Sequence, residues 1–552
     1  MRPRTSKPVT LGILGLLFVL LGTFLGYYWP ILFRRILTQE LVLSPTSKSY
    51  NAWKNSSAIP ITMEFYFFNW TNPNELKIPG KKPILVEVGP YSFVEKREKV
   101  NITFNPENST VSYLQRRFWY FDEKNSKGSL KDNITQLNVV TVSAVHKVRY
   151  SSYIMRSSLS YLLSQSPEIH VVRTVDELLF TGYKDVLIDL GKLAGMTDET
   201  PPFDRFGWFY TRNGSTDFDG YQNMATGEDD VRNIGLFKFW NHKDTTKYYK
   251  SPCNAVEGSA GEFWPPFRTE EDITIFSADL CRPVTYEYER TVYHQGIEGY
   301  KYSVGKKTLS NDTKRRYPHE QAKYFEPTTT TEDFFTAEHS GEVIESVEDP
   351  DVVNIGQCYC NGECSPMGLI NITACRYGAP GFVSLPHFHK ADPILRDQVV
   401  GVNPDDEKHN FYIVLEPTTG IPIDVAARFQ INILLQPSNF VSTFNDVPKI
   451  YFPIFWFNLK SGTTDDLAYS LRQMLMLRSI GLYISVAIII LGLLLLLSIP
   501  TLYMVKRKRE ISRIKGKRAL ASDKKMENIY LDKSNVNDDA HTRADCQLYP
   551  KL

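Results

Sequence analysis

The sequence predicts an α+β protein in which one large antiparallel β domain, with a helical insertion, lies between two membrane-spanning helices. Two long apolar runs near the chain ends predict the spans. Between them, most of the chain consists of short alternating segments broken by Gly, Pro and Asn, while residues 151–193 have apolar residues at helical spacing. One local helical cluster within a β-rich chain favours the α+β class over a βαβ array.

The two apolar runs are long enough to cross a bilayer. They occupy residues 9–33 and 479–505, and neither Val9–Tyr28 nor Ser479–Val505 contains a charged residue. About 20 helical residues cross the ~30 Å hydrocarbon core. A cleaved signal peptide, the alternative for the first run, has only about 7–15 apolar residues. The run also ends in Tyr27-Tyr28-Trp29, which is typical of an interfacial belt, and we interpret it as a retained signal anchor.

Basic residues predict the orientation of the chain. Eight Lys and Arg residues lie between residues 506 and 518, directly after the second run, whereas only Arg472 and Arg478 lie close on its other side. Positively charged flanks remain in the cytoplasm. We therefore expect cytoplasmic tails at residues 1–8 and 506–552, with residues 34–478 outside the cytoplasm.

The outer segment has the features of an oxidising compartment. Its eight N-glycosylation acceptors are Asn55, Asn69, Asn101, Asn108, Asn133, Asn213, Asn311 and Asn371. Six of the seven cysteines lie there too, namely Cys253, Cys281, Cys358, Cys360, Cys364 and Cys375. An even number of cysteines in such a compartment predicts three disulfides. The seventh, Cys546, is in the C-terminal tail.

A zinc site is the alternative interpretation of Cys358, Cys360 and Cys364. His387 and His389 would be two more ligands, because alternate residues of a strand point to one face. Zinc sites use reduced thiolates, commonly in C-x2–4-C pairs, and an oxidising compartment disfavours them. No carboxylate or third histidine has ligand spacing to the two histidines. We expect no metal and no cofactor.

Strands are predicted at several places in the outer segment. Thr62–Asn69 and Ile84–Val88 alternate, and the turn dipeptide Gly89-Pro90 is expected to end the second strand. Val139–Val148 is β-branched and is also expected to be a strand. Phe429–Leu435 and Lys449–Phe457 are predicted to be strands near the end of the outer segment.

Two helices are predicted within residues 151–193, which we call the crown. Ser151–Ser164 and Val175–Leu193 have helical spacing of their apolar residues. Thr174 and Glu177 form the pattern of a capping box, which gives the second helix a defined start. Gly195 is in a position to end it.

Catalysis and nucleic-acid binding are not predicted. The chain has no G-x-S-x-G elbow, phosphate-binding loop or H-E-x-x-H motif. Its formal net charge of +1 gives no reason to expect a nucleic-acid partner. We expect a protein that is not an enzyme and has no catalytic residues.

Seven motifs, in the same order along the chain, carry a family resemblance. They are Phe67-Phe-Asn-Trp-Thr-Asn-Pro73, Glu87-Val-Gly-Pro-Tyr-Ser-Phe93, Thr174-Val-Asp-Glu-Leu-Leu179, Cys253-Asn254, Cys358-Tyr-Cys360, Ser384-Leu-Pro-His-Phe388 and Arg428-Phe-Gln-Ile-Asn-Ile433. With these motifs and its two spans, the chain resembles the class B scavenger receptor family, which includes the fatty acid translocase and the lysosomal integral membrane protein.

The resemblance implies a fold and a function. The fold is an antiparallel β-barrel with a helical bundle at the crown, and a tunnel carries lipids through the barrel to the bilayer. The implied disulfides are Cys253–Cys358, Cys281–Cys375 and Cys360–Cys364. The implied function is a plasma-membrane receptor that captures fatty acids, sterols, carotenoids or lipoprotein lipids. The alternatives are a receptor that sorts a protein cargo to endosomes or lysosomes and, with less support, an adhesion protein with a vestigial tunnel.

Candidate site residues follow from the same resemblance. In the fatty acid translocase a lysine of the first crown helix helps bind fatty acid, and Ser164 stands there in this chain. We expect apolar ligand contacts at Leu163, Leu179, Tyr183 and Leu187, although helix packing is the alternative role for each of these residues. The C-terminal Tyr549-Pro-Lys-Leu552 resembles a sorting signal for clathrin adaptors. The lysosomal member's acidic di-leucine signal is missing.

Overall fold

The computed structural model describes residues 7–54, 60–165, 168–193, 203–318, 349 and 351–534. The helices of these residues are α1 Lys7–Leu41, α2 Lys48–Lys54, α3 Val139–Val148, α4 Tyr153–Ser164, α5 Val186–Leu193, α6 Lys306–Leu309, α7 Ile355–Cys358, α8 Pro393–Asp397, α9 Asp406–His409 and α10 Asp465–Ser534. Short 3-10 turns lie at Pro73–Glu75, Pro106–Asn108, Glu123–Asn125, Val231–Asn233, Thr373–Cys375, Pro386–Phe388 and Ser442–Phe444.

Antiparallel strands form most of the remaining regular structure. They are β1 Ile61–Trp70, β2 Leu85–Asn105, β3 Thr110–Phe121, β4 Asn133–Leu137, β5 His170–Thr174, β6 Gln222–Ala225, β7 Phe237–Trp240, β8 Ile273–Ser277, β9 Arg282–His294, β10 Ile297–Val304, β11 Lys314–Arg316, β12 Val352–Asn354, β13 Ile370–Asn371, β14 Gly381–Ser384, β15 Tyr412–Leu415, β16 Pro422–Leu435 and β17 Ile450–Gly462.

The described chain divides into two compact units. One consists of the residues up to Arg34 and from Met474 onward, and the other is Arg35–Gln473. In the first unit α1 and α10 are two candidate membrane-spanning helices, and both predicted apolar runs lie within them. A Cβ on Gly22 would come within 2.6 Å of Ile489 Cγ1, so the absence of a side chain at Gly22 permits close contact between the two helices.

The second unit is built on one 13-stranded antiparallel sheet. Its strand order is β7-β6-β3-β2-β1-β17-β16-β15-β10-β9-β8, and β14 pairs with both β16 and β13. The sheet curls into a nearly closed barrel in which residues 258–260 bridge the end strands β7 and β8. On one side Phe237 N donates to Gly258 O at 2.8 Å, and on the other Ser259 N donates to Thr274 O at 2.8 Å. We call this bridge the seam.

Strand β2 runs through the Gly89-Pro90 dipeptide, so the prediction that the strand ends there is wrong. Gly89 has φ 131°, and a Cβ there would lie 2.6 Å from Phe65 O. The β1–β2 register shifts between Phe65 and Phe67 at the same place. A bulge, which only glycine fits here, therefore bends the strand without ending it.

Val139–Val148 is helix α3, not the predicted strand. Asn138 caps the helix by accepting a hydrogen bond from Thr141 N at 3.1 Å. Val139, Val142 and Val145 are buried on one side. This spacing of three residues is helical, and burial of that face outweighs the β propensity of the valines.

The second predicted crown helix is divided. Its capping box forms as expected, since Thr174 N donates to Glu177 Oε2 at 2.9 Å and Glu177 N donates to Thr174 Oγ1 at 3.2 Å. A π-type turn over Glu177–Thr181 follows, and Gly182 then leaves the helix with φ 66°. The chain becomes helical again only at α5. The predicted stop at Gly195 lies outside the described residues.

Candidate functional site

The strand register shows which side chains point into the barrel. One row of paired residues across six strands consists of Ile413, Val425, Ser461, Ile61, Glu95 and Trp119. Phe65 and Phe457 pair in a parallel row on the same face. The opposite face of β16 and β17 is covered by residues 385–411, where His387 N donates to Gln430 Oε1 at 2.7 Å. The first face is therefore the interior.

Aromatic side chains form much of the interior near β1 and β17. Phe65 contacts Phe209, Phe455 and Phe457 at ring-centroid distances of 5.2, 5.9 and 6.4 Å. Phe457 in turn lies 6.3 Å from Phe429 on β16. Edge-to-face and tilted contacts of this kind stabilise the wall beyond the burial of apolar area alone.

Part of this apolar interior is not fully buried. Several interior-facing apolar side chains of β16 and β17 are only half-buried, including Val425, Ala427, Phe429, Phe457 and Leu459, whereas Phe455 on the same face is buried. By contrast, Ala426, Arg428 and Asn458 on the outer face of the same strands are buried. Solvent therefore reaches apolar side chains inside a nearly closed barrel, which is the environment that a hydrophobic ligand requires.

A network of charged side chains occupies the interior of β2 and β3. Glu95 on β2 is fully buried and accepts from Arg97 Nε at 2.6 Å and from Trp119 Nε1 at 3.2 Å. Burial by itself raises the pKa of Glu95, but Arg97 and Arg117 outweigh that effect and hold the pKa below its usual range. Glu95 is therefore a stable buried carboxylate.

Lys99 extends the network towards the 258–263 loop. Its Nζ donates to Glu262 Oε1 at 2.6 Å and to Gln115 Oε1, and it lies over the rings of Trp53 and Tyr113. Burial lowers the pKa of Lys99, and the Glu262 carboxylate only partly offsets this effect. The ammonium group is paired but has lost most of its hydration.

Asp219 joins two arginines in the same network. Its carboxylate lies 2.8 Å from Arg117 Nε and 3.0 Å from Arg212 Nη2. Arg212 also donates to Asp279 at 3.0 Å, and Asp279 lies 3.5 Å from Arg376. Burial tends to raise the pKa of Asp219, but the two arginines lower it overall. Charged side chains from four separate chain segments thus meet in this network.

The predicted histidine pair does not converge on one point. His387 Nε2 contacts Glu87 Oε2 at 2.6 Å, whereas His389 Nε2 contacts Asp406 Oδ1 at 3.0 Å. His387 stacks instead on His409, with ring centroids 4.3 Å apart. Glu87 also accepts from Trp456 Nε1 at 2.7 Å, so this cluster joins the 385–411 cover to the outer barrel wall.

The six cysteines of the second unit form three disulfides. They join Cys253 to Cys358, Cys281 to Cys375 and Cys360 to Cys364, which are the pairs that the resemblance implies. The first two close loops with sequence separations of 105 and 94 residues. Long loops of this size restrict the unfolded chain most strongly.

The four candidate ligand contacts of the crown are not exposed. Leu163, Leu179 and Tyr183 are buried, and Leu187 is half-buried against the same core cluster. This placement favours the packing role that was the alternative for each residue, and ligand contact stays a prediction. Other apolar side chains in and next to the crown are exposed, namely Tyr150, Tyr153, Ile154, Tyr161, Val172, Val186 and Leu190.

A cavity of about 420 Å³ lies between α4 and residues 439–442. Ser157, Ser160 and Ser164 line one side of it, and Arg156 stacks on Phe440 with the guanidinium 3.7 Å from the ring centroid. Ser164, which stands where the fatty acid translocase has lysine, therefore borders a polar hollow. The sequence signal was the spacing of these serines by three and four residues, which places them on one helix face.

The acceptor asparagines differ in exposure. Asn101, Asn108, Asn133 and Asn213 are exposed. Asn69, Asn311 and Asn371 are half-buried, and Asn311 Nδ2 donates to Ser365 O at 2.7 Å. Asn55 and the tail residues Cys546, Tyr549 and Leu552 lie outside the described residues.

Comparison with known proteins gives one family and several relatives. The family model described as the CD36 family matches residues 13–503. Protein peste of Drosophila melanogaster is 34% identical over 85% of this chain and 78% of its own length. Scavenger receptor class B member 1 of Rattus norvegicus is 29% identical over 91% of this chain and 90% of its own. Lysosome membrane protein 2 of Homo sapiens is 30% identical over 80% and 82%.

Proposed function

The chain belongs to the CD36 family, and from this membership we propose that it is a cell-surface receptor that captures hydrophobic ligands and passes them through its barrel to the membrane. The observation that carries the proposal is the half-buried apolar interior of β16 and β17. An interior that existed only for stability would bury these side chains completely, since burial is where their stabilising free energy comes from.

An apolar interior of this kind would lower the free-energy cost of moving a lipid. Exposing an acyl chain to water costs about 0.8 kcal/mol per CH₂. Val425, Ala427, Phe429, Phe457 and Leu459 offer an apolar surface that replaces water along the path. Transfer along this surface needs no covalent step.

Plugging the barrel tests the proposal. Ala427→Trp adds a large side chain to the interior, and we expect uptake of a fluorescent fatty acid or sterol by cells to fall several-fold at unchanged surface expression. Lys96→Trp is the matched control, because Lys96 is exposed on the outer side of β2. Equal uptake by wild type, A427W and K96W would refute a conduit.

The orientation and the tail belong to the same proposal. We place both tails in the cytoplasm, supported by the basic residues after position 505. Epitope tags at either end should be accessible only after permeabilisation of the cells.

We also assign Tyr549 and Leu552 to a sorting signal for clathrin adaptors. Tyr549→Ala should therefore raise the amount of protein at the cell surface, and an unchanged internalisation rate would exclude the signal.

An endosomal or lysosomal sorting receptor for a protein cargo is the second candidate function. The similarity to Lysosome membrane protein 2 supports that location. The exposed side chains Tyr150, Tyr153, Ile154 and Tyr161 would be the surface that contacts the cargo. Lipids co-purifying with the full chain favour the first function, whereas a stoichiometric protein partner that is lost in Tyr153→Ser and Tyr161→Ser variants favours the second.

A further inference from the structure

Hydroxyl groups dominate the lining of the cavity between α4 and residues 439–442, which we call the α4 hollow. Six of the nine described residues around it carry a hydroxyl, and the other three are Arg156, Asn439 and Phe440. A lipid site is lined mainly by apolar side chains, whereas this lining offers many hydrogen-bond donors and acceptors. Its volume of about 420 Å³ lies within the range of roughly 300–1,000 Å³ that small-molecule sites occupy. The α4 hollow is therefore large enough for a small polar ligand.

Arg156 is the only charged side chain among the described residues that line the α4 hollow. Its guanidinium lies 3.7 Å from the ring centroid of Phe440, and Nη1 donates to Arg149 O at 3.5 Å. In the part of the chain that the structure describes, no carboxylate pairs with Arg156, and its Nε is buried without a hydrogen-bond partner. A guanidinium group that is held in place without a counter-ion is a binding position for an oxyanion.

The carboxylate of Glu363 does not neutralise Arg156, because it pairs with the neighbouring Arg149. Arg149 Nη2 and Glu363 Oε1 are 2.8 Å apart. Tyr150 also donates to Glu363 Oε1 at 3.4 Å. Arg149 and Glu363 thus form a pair of their own, and the positive charge of Arg156 is left to the α4 hollow.

The uncharged groups of the α4 hollow have hydrogen-bonding capacity left. Ser160 Oγ accepts from Ser442 N at 3.2 Å, and its own proton has no acceptor among the described residues. The side chains of Ser157 and Asn439 have no hydrogen-bond partner in the described part of the chain. Hydroxyl and amide groups in this number fit a ligand that itself carries several hydroxyl groups.

Two tyrosine rings stand at the rim of the α4 hollow. Tyr153 and Tyr161 both line it, and each is 73% exposed. A tyrosine ring has an apolar face and a polar hydroxyl end. A pyranose ring is divided in a similar way, since C–H groups cover much of one face while hydroxyls project from its edge. The two exposed rings are thus surfaces on which a sugar can pack.

From these observations we infer that the α4 hollow binds the terminal acidic sugar of a glycan, a sialic acid or a uronic acid, with Arg156 paired to its carboxylate. The single guanidinium suits one negative charge, whereas a polysulfated chain would bring several. A fatty acid fits less well, because its acyl chain would lie against hydroxyl groups and remove their water.

The acidic-sugar site is independent of the lipid conduit. The α4 hollow and the half-buried wall of β16 and β17 have no described lining residue in common. For the cargo-sorting alternative, the site gives the chemical class of the partner, which is a glycoprotein.

The first test compares soluble sugars with and without the acidic group. Full-length protein in nanodiscs is titrated with 3′-sialyllactose, methyl glucuronide and lactose, and we expect one of the two acidic sugars to bind roughly 10-fold or more tightly than lactose. The tighter acidic sugar identifies the source as a sialylated or a uronic-acid-bearing glycan. Absent or equal binding of all three would overturn the inference. Tighter binding of a heparin hexasaccharide would overturn it too, because that preference indicates a general polyanion surface.

Variants then locate the site. Arg156→Gln should weaken binding of the preferred acidic sugar roughly 10-fold with no change for lactose, and Arg156→Lys should retain part of the preference. Ser157→Leu fills the α4 hollow and should weaken binding of acidic and neutral sugars alike. Ser158→Leu is the matched control, because Ser158 is exposed on the same helix and does not line the hollow. Binding that is unchanged in R156Q, or lost equally in S157L and S158L, would count against the site.

Lipid uptake separates this proposal from the conduit. Ser157→Leu should leave uptake of the fluorescent lipid unchanged, and Ala427→Trp should leave acidic-sugar binding unchanged. Loss of both activities in S157L would refute an independent sugar site. Unchanged lipid uptake in A427W, with intact sugar binding, would refute only the conduit.

Discussion

The two faces of β16 and β17 reverse the usual distribution of burial in a protein. Interior side chains such as Phe429 and Phe457 are apolar yet only half-buried, while Gln430, Asn432 and Asn458 on the outer face are polar and buried. The reason is that residues 385–411 cover the outer face, whereas solvent reaches the interior. On this part of the barrel, side chains such as Gln430, Asn432 and Asn458 on the covered outer face are therefore buried more completely than Phe429 and Phe457 in the interior.

The largest expected difference in stability between the two faces is that between substitutions of two adjacent residues of β17, Trp456 and Phe457. Trp456 is buried on the outer face, stacks on Tyr66 at 3.9 Å and donates to Glu87, so Trp456→Ala should cost about 3–5 kcal/mol of unfolding free energy. Phe457→Ala removes a half-buried ring and should cost less, but should alter lipid uptake. Denaturant unfolding and uptake assays measure the two effects, and equal destabilisation would contradict the difference between the faces.

Acid should weaken the outer face by a smaller amount. Burial, together with the charge of the stacked His387, lowers the pKa of His409 to about 4 from an ordinary value of 6.5. The unfolded chain then binds more protons between these values, so this stability is complete above about pH 6.5 and is lost as the pH falls towards 4.

We expect a loss of about 2 kcal/mol from His409 by pH 5, measured as a fall in Tm. The Nδ1 atom of His409 accepts a hydrogen bond from Asp405 N at 2.8 Å, and protonation of that atom would break the bond. A His409→Gln variant should be less stable at neutral pH but less sensitive to acid. An acid response that is unchanged in this variant would place its origin elsewhere, for example at His146, whose pKa burial lowers to about 4.

N-glycan occupancy should be higher at exposed acceptor asparagines than at half-buried ones. Of the expected effects, this one changes stability least. Asn101, Asn108, Asn133 and Asn213 are exposed and should carry glycans more completely than Asn69, Asn311 and Asn371. Mapping of glycopeptides after enzymatic deglycosylation measures this. Full occupancy at Asn311 would show that its hydrogen bond to Ser365 O forms only in the absence of the glycan.

Sequence reasoning predicted the features that depend on local pattern. The alternation in β1 and the capping box at Thr174 were correct because the contributing residues are neighbours in the chain. The β-branched composition of α3 obscured a helical spacing that the Asn138 cap supports. The bulge at Gly89 was missed because a turn dipeptide and a bulge have the same sequence signal.

The interior charge network was not predictable in this way. Arg97, Lys99 and Arg117 lie in charge-rich stretches of β2 and β3 that favour a solvated face. Their partners Asp219 and Glu262 are about a hundred or more residues away, as the separation of 163 residues between Lys99 and Glu262 illustrates. Only the closure of the barrel brings these charges together.

The seam at residues 258–260 is the part of the barrel wall that is closed by the fewest backbone hydrogen bonds. Elsewhere the circumference is held by strands with continuous pairing, but between β7 and β8 it depends on four backbone hydrogen bonds of residues 258–260, including Ala260 N to Gly235 O at 2.8 Å and Phe276 N to Ser259 O at 3.0 Å. The region with the fewest backbone hydrogen bonds is expected to open first, and the hydrogen bonds of the seam can break without separating any pair of strands. Local opening of the barrel wall is therefore expected first along this line, with every strand pair still intact.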